Sequence, residues 1–134
     1  MFNIYSSWYK LVMFEWTIEY LPAENYLLLK SKGVMDVSSA NAMVKALAES
    51  AEKHQCLYHL IDHRETTFAF EMMDYYERPT VNAKLGISRL FRTAMVFSRL
   101  TAETAFMENV FRNRNYNLRH FDNIDEALSW LQQK

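Results

Sequence analysis

The chain has 134 residues, half of them hydrophobic and nearly a quarter charged, a length that suits one domain of roughly 100–200 residues and an apolar content that excludes disorder. A formal net charge of −1, from 11 acidic and 7 basic side chains over residues 1–82 and 5 and 8 over residues 83–134, excludes the global positive field that draws proteins onto nucleic acid or anionic lipid. No run reaches the roughly 20 apolar residues of a membrane span, the opening MFNIYSSWYKLV lacks the features of a signal peptide, and the lone Cys56 forms no internal disulfide, so a cytoplasmic protein is expected.

Residues 1–12 read as an N-terminal extension and residues 13–134 as a single α/β domain. From Trp16 to Leu21, Trp16, Ile18 and Tyr20 alternate with Thr17 and Glu19, the period of a half-buried strand. Pro22 to Asn25 make a turn, and Tyr26 to Lys32 is a second strand ended by Gly33, so the pair is an antiparallel hairpin. Asp36 or Ser38 caps a helix in which Ala40, Met43, Val44, Leu47, Ala48 and Ala51 recur as one buried stripe.

Cys56 to Asp62 is short and apolar, as in a strand covered on both faces of a parallel sheet. Thr66 to Lys84 carries helix-like stretches that Pro79 should end or kink. Arg92 to Ser98 is another buried strand, followed by Thr101 as the cap of a further helix. Leu118 to Phe121 is a short last strand, after which Asn123 and Glu126 cap a terminal helix with Ile124, Ala127, Leu128 and Leu131 inward. The predicted order is β-β-α-β-α-β-α-β-α, a mainly parallel five-stranded sheet with one antiparallel edge strand and four helices.

That order, with the closing stretch from Leu118 through His120, Phe121 and Asp122 to the helix bearing Glu126, Ala127, Leu128, Trp130 and Leu131, resembles the SpoIIAA-like family, relatives of the STAS domains of anti-sigma factor antagonists. The resemblance covers residues 13–134. It implies a regulatory domain that binds other proteins, in some members switched by phosphorylation, or in distant relatives holds an apolar ligand. STAS antagonists carry a phosphorylatable Ser in an Asp-Ser-Gly-like turn between the third strand and the second helix. Here the corresponding residues are Asp62-His63-Arg64-Glu65-Thr66-Thr67, which lack that motif and leave Thr66 or Thr67 to supply a hydroxyl.

Residues 62–67 are the leading candidate site, because ligands of open α/β sheets bind beyond the carboxyl ends of parallel strands. Asp62, Arg64, Thr66 and Thr67 form either a phospho-switch or partner-binding turn, with Arg64 pairing a phosphate, or an ordinary helix cap. The segment 68–91 holds Phe68, Phe70, Met73, Tyr76 and Phe91, more apolar bulk than one short helix face covers. It forms an interface or apolar ligand pocket, or simply fills the core. The N-terminal aromatics Phe2, Tyr5, Trp8 and Tyr9 pose the same choice.

His54, His59, His63 and Cys56 do not assemble a metal site by this reading, because strand alternation points His59 away from Cys56. His59 reads as a core or pocket residue and His63 as a loop residue. Lys84, Arg89, Arg92, Arg99, Arg112, Arg114 and Arg119 offer, with Tyr116, a basic patch of the kind nucleic-acid binders use, but read as solvated helix faces and strand ends, without a nucleic-acid partner. With no motif for a nucleophile, phosphate loop or cofactor, the expected function is a non-enzymatic regulatory module that needs no cofactor and binds a protein partner, including itself as a homodimer. The alternative is a carrier of a small apolar ligand such as a lipid.

Overall fold

Half-exposed Trp16, Ile18 and Tyr20 alternate with exposed Glu15, Thr17 and Glu19 along the first strand, β1, of a computed structural model that describes residues 13–133. The extension over residues 1–12 and its aromatics lie outside the described residues. β1 (Glu15–Leu21) turns back through Asn25, held at φ 56°, into β2 (Tyr26–Met35), with Ile18 opposite Leu29 in antiparallel register. Gly33 does not end β2. Its φ of 102° and the backbone of Met13 packed against it exclude a Cβ there, and pairing continues past it to Met35.

Helix α1 (Val37–His54) is capped by Asp36, whose Oδ1 accepts from the N–H of Ser39 at 2.8 Å while Ser39 Oγ accepts from the N–H of Asp36 at 2.9 Å. Strand β3 (Tyr58–Phe68), helix α2 (Met72–Lys84), strand β4 (Arg92–Val96), helix α3 (Ala102–Arg112), strand β5 (Asn117–Phe121) and helix α4 (Ile124–Leu131) follow. The expected caps are in place. Thr101 Oγ1 accepts from Thr104 N–H at 3.2 Å, and Asn123 Oδ1 accepts from Glu126 N–H at 3.0 Å. The sheet order is β1-β2-β3-β4-β5, parallel from β2 onward.

Alternation along the strands assigns the two faces. Leu27, Leu29 and Ile61 pack with Met43, Val44 and Leu47 of α1, and Phe97 and Leu118 pack with Tyr75, Met107 and Phe111 from α2 and α3 and the loop beyond. Leu60, Ala94, Val96 and Phe121 point the other way, onto Ala127 and Leu131 of α4. Three helices therefore cover one face and α4 alone the other. Among the described residues no helix is long and apolar enough to cross a membrane.

Two expectations need correction. Pro79 neither ends α2 nor precedes its start; it is fully buried inside the helix. The roughly 3 kcal/mol penalty of an interior proline is opposed by packing and by Arg78, which bonds Asn41 Oδ1 at 2.7 Å and Asn82 Oδ1 at 2.6 Å. The second correction concerns residues 62–67, which are not a turn but the far half of β3. Lys32, Gly33, Val34 and Met35 of β2 pair with Glu65, Thr66, Thr67 and Phe68 and hold that stretch extended. The turn into α2 comes only at residues 69–71.

Candidate functional site

A β-bulge builds the site. Lys30 pairs with Asp62 and Lys32 with Glu65, so the two residues His63 and Arg64 stand opposite the single Ser31. On a regular strand His63 and Thr66, three apart, would face opposite ways. The extra residue shifts the alternation and turns both toward the helix-rich face, a re-aiming of side chains typical of bulges. Ser31 Oγ lies 2.5 Å from His63 Nδ1 and 2.5 Å from Thr66 Oγ1, and 3.4 Å from the carbonyl of Asp62.

This polar cluster is largely buried. Ser31 and His63 are buried and Thr66 is half-buried. Burial pushes the imidazole of His63 down to about 4, so the ring is neutral at physiological pH. His63 edges onto Phe68 (centroids 5.2 Å apart) and leans on Phe97 (5.8 Å), which in turn contacts His120 at 4.7 Å. Burial holds His120 down to about 3, opposed by the backbone of Thr104, which lies beside the ring without a well-formed hydrogen bond to either nitrogen. His59, fully enclosed one turn of the pleat away, bonds the Cys56 carbonyl through Nε2 at 3.0 Å and is held down to about 4 by burial.

Above the cluster, where β3 and β4 end, the chain leaves an open cleft of about 500 Å³. His63, Thr66 and Thr67 form its floor and one rim, Phe68, Phe70, Tyr75 and Phe97 its aromatic wall, and Ser98 to Thr104 the other rim. Arg99 forms no ion pair there among the described residues. Two smaller cavities between the sheet and helices α1 to α3 are about 40 Å³ each, space for a water and not for a lipid chain.

The residues singled out from sequence separate. Asp62 is buried on the α4 face and Arg64 is exposed. Burial pushes the Asp62 carboxyl up, but the Arg64 guanidinium, its backbone N–H and its charge bring it below the usual carboxylate range. Arg64 Nε and Nη2 each donate at 2.9 Å, so Arg64 is already spoken for. Thr66 and Thr67 reach the cleft, Thr66 bonded to Ser31 and Thr67 exposed. Of the apolar candidates, Phe68 and Phe70 wall the cleft, Met73 and Tyr76 stand exposed on α2, and Phe91 packs edge-on against His59 at the opposite end of the sheet. They do not form one pocket. His63, expected in a loop, is a strand residue.

Ser31, Phe97 and Thr104 were not anticipated, and Arg99, expected only as one of the solvated basic residues, stands at the cleft. One signal existed for Ser31: it follows Leu27 and Leu29 at the buried parity, where a polar side chain requires an internal partner.

No protein-family model matches the sequence, and no curated protein does. Among solved structures, an uncharacterised protein of the DUF3478 family with a SpoIIAA-like fold from Shewanella loihica PV-4 is similar, at 19% identity over 88% of this chain and 93% of that one, with a TM-score of 0.60. An anti-sigma factor antagonist from Mycobacterium paratuberculosis matches at 12% identity over 90% and 96%, TM-score 0.60. The anti-sigma factor antagonist SpoIIAA in its unphosphorylated form matches at 12% over 90% and 100%, TM-score 0.52. The strand and helix order and the one antiparallel pair are those of the SpoIIAA-like fold, as the sequence predicted.

Proposed function

We propose that this SpoIIAA-like domain is a non-enzymatic regulatory module of the cytoplasm that docks a protein partner on the carboxyl end of its sheet. One observation carries the reading: Val34, Val37, Met72, Met73 and Leu100, all exposed apolar side chains, sit where β2 and β4 end and where α1 and α2 begin. A group of exposed apolar residues favours an interface, and here, unlike at the other end where Leu57, Tyr58 and Leu90 are exposed, it includes paired methionines that adapt to a partner's shape. The two anti-sigma factor antagonists of the same fold lend the reading support. A nucleophilic role for Ser31 is disfavoured, because its side chain is buried and its hydroxyl is engaged by His63 and Thr66.

The phospho-switched form of this reading falls on Thr67, whose side chain is exposed, rather than on Thr66, whose hydroxyl Ser31 occupies. Arg99 across the cleft, not Arg64, is then the cation available to a phosphate. For the homodimer, the open outer edge of β1 is the natural seam, since among the described residues β1 pairs only with β2.

A photo-crosslinker placed at residue 73, compared with one at exposed Leu90 at the other end of the sheet, tests the docking surface in cells. The expected result is one discrete adduct from position 73 that Met72→Asp abolishes. Equal labelling from both positions, or none from 73, overturns the reading.

A further inference from the structure

We propose that the cleft beyond β3 and β4 binds a small planar molecule with one anionic group, a carboxylate or a phosphate, held by His63 and Arg99 with its ring against Phe68, Phe70 and Tyr75. The inference goes beyond partner docking and stands without it. The volume of about 500 Å³ lies within the range of small-molecule sites, and the position at the carboxyl ends of parallel strands is where such sites form.

Proton counting gives the site its donor. Neutral His63 carries one ring proton, and Ser31 and Thr66 carry one hydroxyl proton each. Ser31 has one hydroxyl proton and two acceptors besides Thr66 in reach, Nδ1 at 2.5 Å and the carbonyl of Asp62 at 3.4 Å; given to the nearer Nδ1, with Thr66 donating to Ser31, it leaves the ring proton on Nε2. Among the described residues Nε2 has no hydrogen-bond partner, and the ring borders the cleft. Nε2 is not shut off from solvent, and an anionic oxygen in the cleft gives it an acceptor. The bulge is the device that makes this possible, since without it Thr66 would turn away and Ser31 would lose its second partner.

Charge supports the same assignment. Arg99 is unpaired among the described residues, and at the start of α3 the N–H groups of Ala102 and Glu103 are left open, Thr101 having capped only Thr104. Glu103 borders the cleft as well. Its carboxylate opposes a multiply charged guest and offers an acceptor to a ligand hydroxyl or amine. Four aromatic rings meet on the wall, with Phe68 and Phe70 at 5.6 Å and Phe70 and Tyr75 at 5.2 Å, which suits a flat body over a flexible chain.

The test is a titration of isotope-labelled full-length protein with 4-hydroxybenzoate, phenyl phosphate, inorganic phosphate and benzyl alcohol, read on the His63 ring and the amides of residues 98–104. Saturable shifts with at least one of the two aryl anions are expected, at an affinity about tenfold higher than for inorganic phosphate, a difference of about 1.4 kcal/mol. Comparing the two aryl anions separates carboxylate from phosphate. Arg99→Ala, an exposed substitution that leaves the fold intact, lowers the affinity about tenfold, as expected for loss of a charge-assisted bond. Ser31→Ala releases Nδ1, so the nitrogen signals of His63 report a mixed tautomer and the aryl anion binds more weakly. The proposal fails if no aryl anion shifts these residues at millimolar concentration, if benzyl alcohol binds as well as the anions, or if Arg99→Ala changes nothing.

Discussion

The two faces of the sheet are stabilised by different chemistry. The α4 face is an apolar contact in which Leu60, Ala94, Val96, Ala127 and Leu131 are all essentially sealed, with Asp62 at its border satisfied by Arg64. The face under α1, α2 and α3 buries His59, His63 and His120 together with Ser31, Thr93, Arg78 and Asn82. Apolar burial stabilises without regard to pH. Buried neutral imidazoles stabilise only while they stay neutral, so the helix-rich face has a dependence on acidity that the other lacks.

The largest expected effect follows from that difference. The folded values of His59, His63 and His120 lie at about 4, 4 and 3, below the unfolded value of 6.5. Between those limits the unfolded chain binds more protons, so stability is fully present above pH 6.5 and falls as the pH drops toward 4. Three protons correspond to roughly 4 kcal/mol per pH unit, and a loss of roughly 5 kcal/mol by pH 5 is comparable to the whole stability of many domains. Urea unfolding between pH 7.5 and 5 measures it; a flat midpoint across that range would show that the histidines titrate normally.

The α4 face gives the converse. Leu131 is sealed at 1% exposure, so Leu131→Ala should cost about 2–5 kcal/mol through lost transfer energy and a cavity. The loss should be the same at pH 6 and pH 8. A loss that varied between those pH values would mean that the two faces are coupled through the sheet.

How much of this contrast was legible beforehand depends on how local its cause is. The α1 stripe, the caps at Asp36, Thr101 and Asn123 and the apolar strand through Ala94 and Val96 are written in consecutive residues. The far half of β3 is not. His63 to Thr67 is polar and reads as a turn, yet residues 33 places earlier hold it straight, and β1 and β2 on its α4 side carry no covering helix, so polar side chains there meet water. The bulge opposite Ser31 also inverts the alternation, so parity counted from Leu60 gives the wrong face for Thr66. Thr66 and Thr67, singled out from the sequence, border the cleft at the carboxyl end of the sheet, while the residues from other elements that line it with them had no local signature.

His120 sharpens the contrast within the helix-rich face. Its ring nitrogens make no well-formed hydrogen bond among the described residues and have only the Thr104 backbone beside them, whereas His63 has Ser31 and His59 has the Cys56 carbonyl. Replacing an unsatisfied buried polar group by an apolar one of similar volume removes a desolvation penalty. His120→Leu should therefore stabilise the protein by about 1 kcal/mol at pH 7 and reduce the acid slope by about a third. Destabilisation with an unchanged slope would instead reveal a partner for the ring in solution, such as an ordered water.

The smallest effect concerns how α4 is fastened. Arg92 places its guanidinium 3.8 Å from the ring centroid of Trp130 and donates through Nη2 to the Trp130 carbonyl at 2.6 Å, near the end of the helix. Both contacts favour a cation near a helix C-terminus. Arg92 is half-buried, so solvent screening limits the gain, and Arg92→Leu should cost about 1 kcal/mol. Because the attraction is to a ring face and a carbonyl rather than to a carboxylate, the loss should change little when salt is raised from 0.05 to about 0.5 M. A loss that vanished in salt would mean that Arg92 works through acidic neighbours such as Asp125 or Glu126, and the α4 face would then carry an electrostatic dependence of its own.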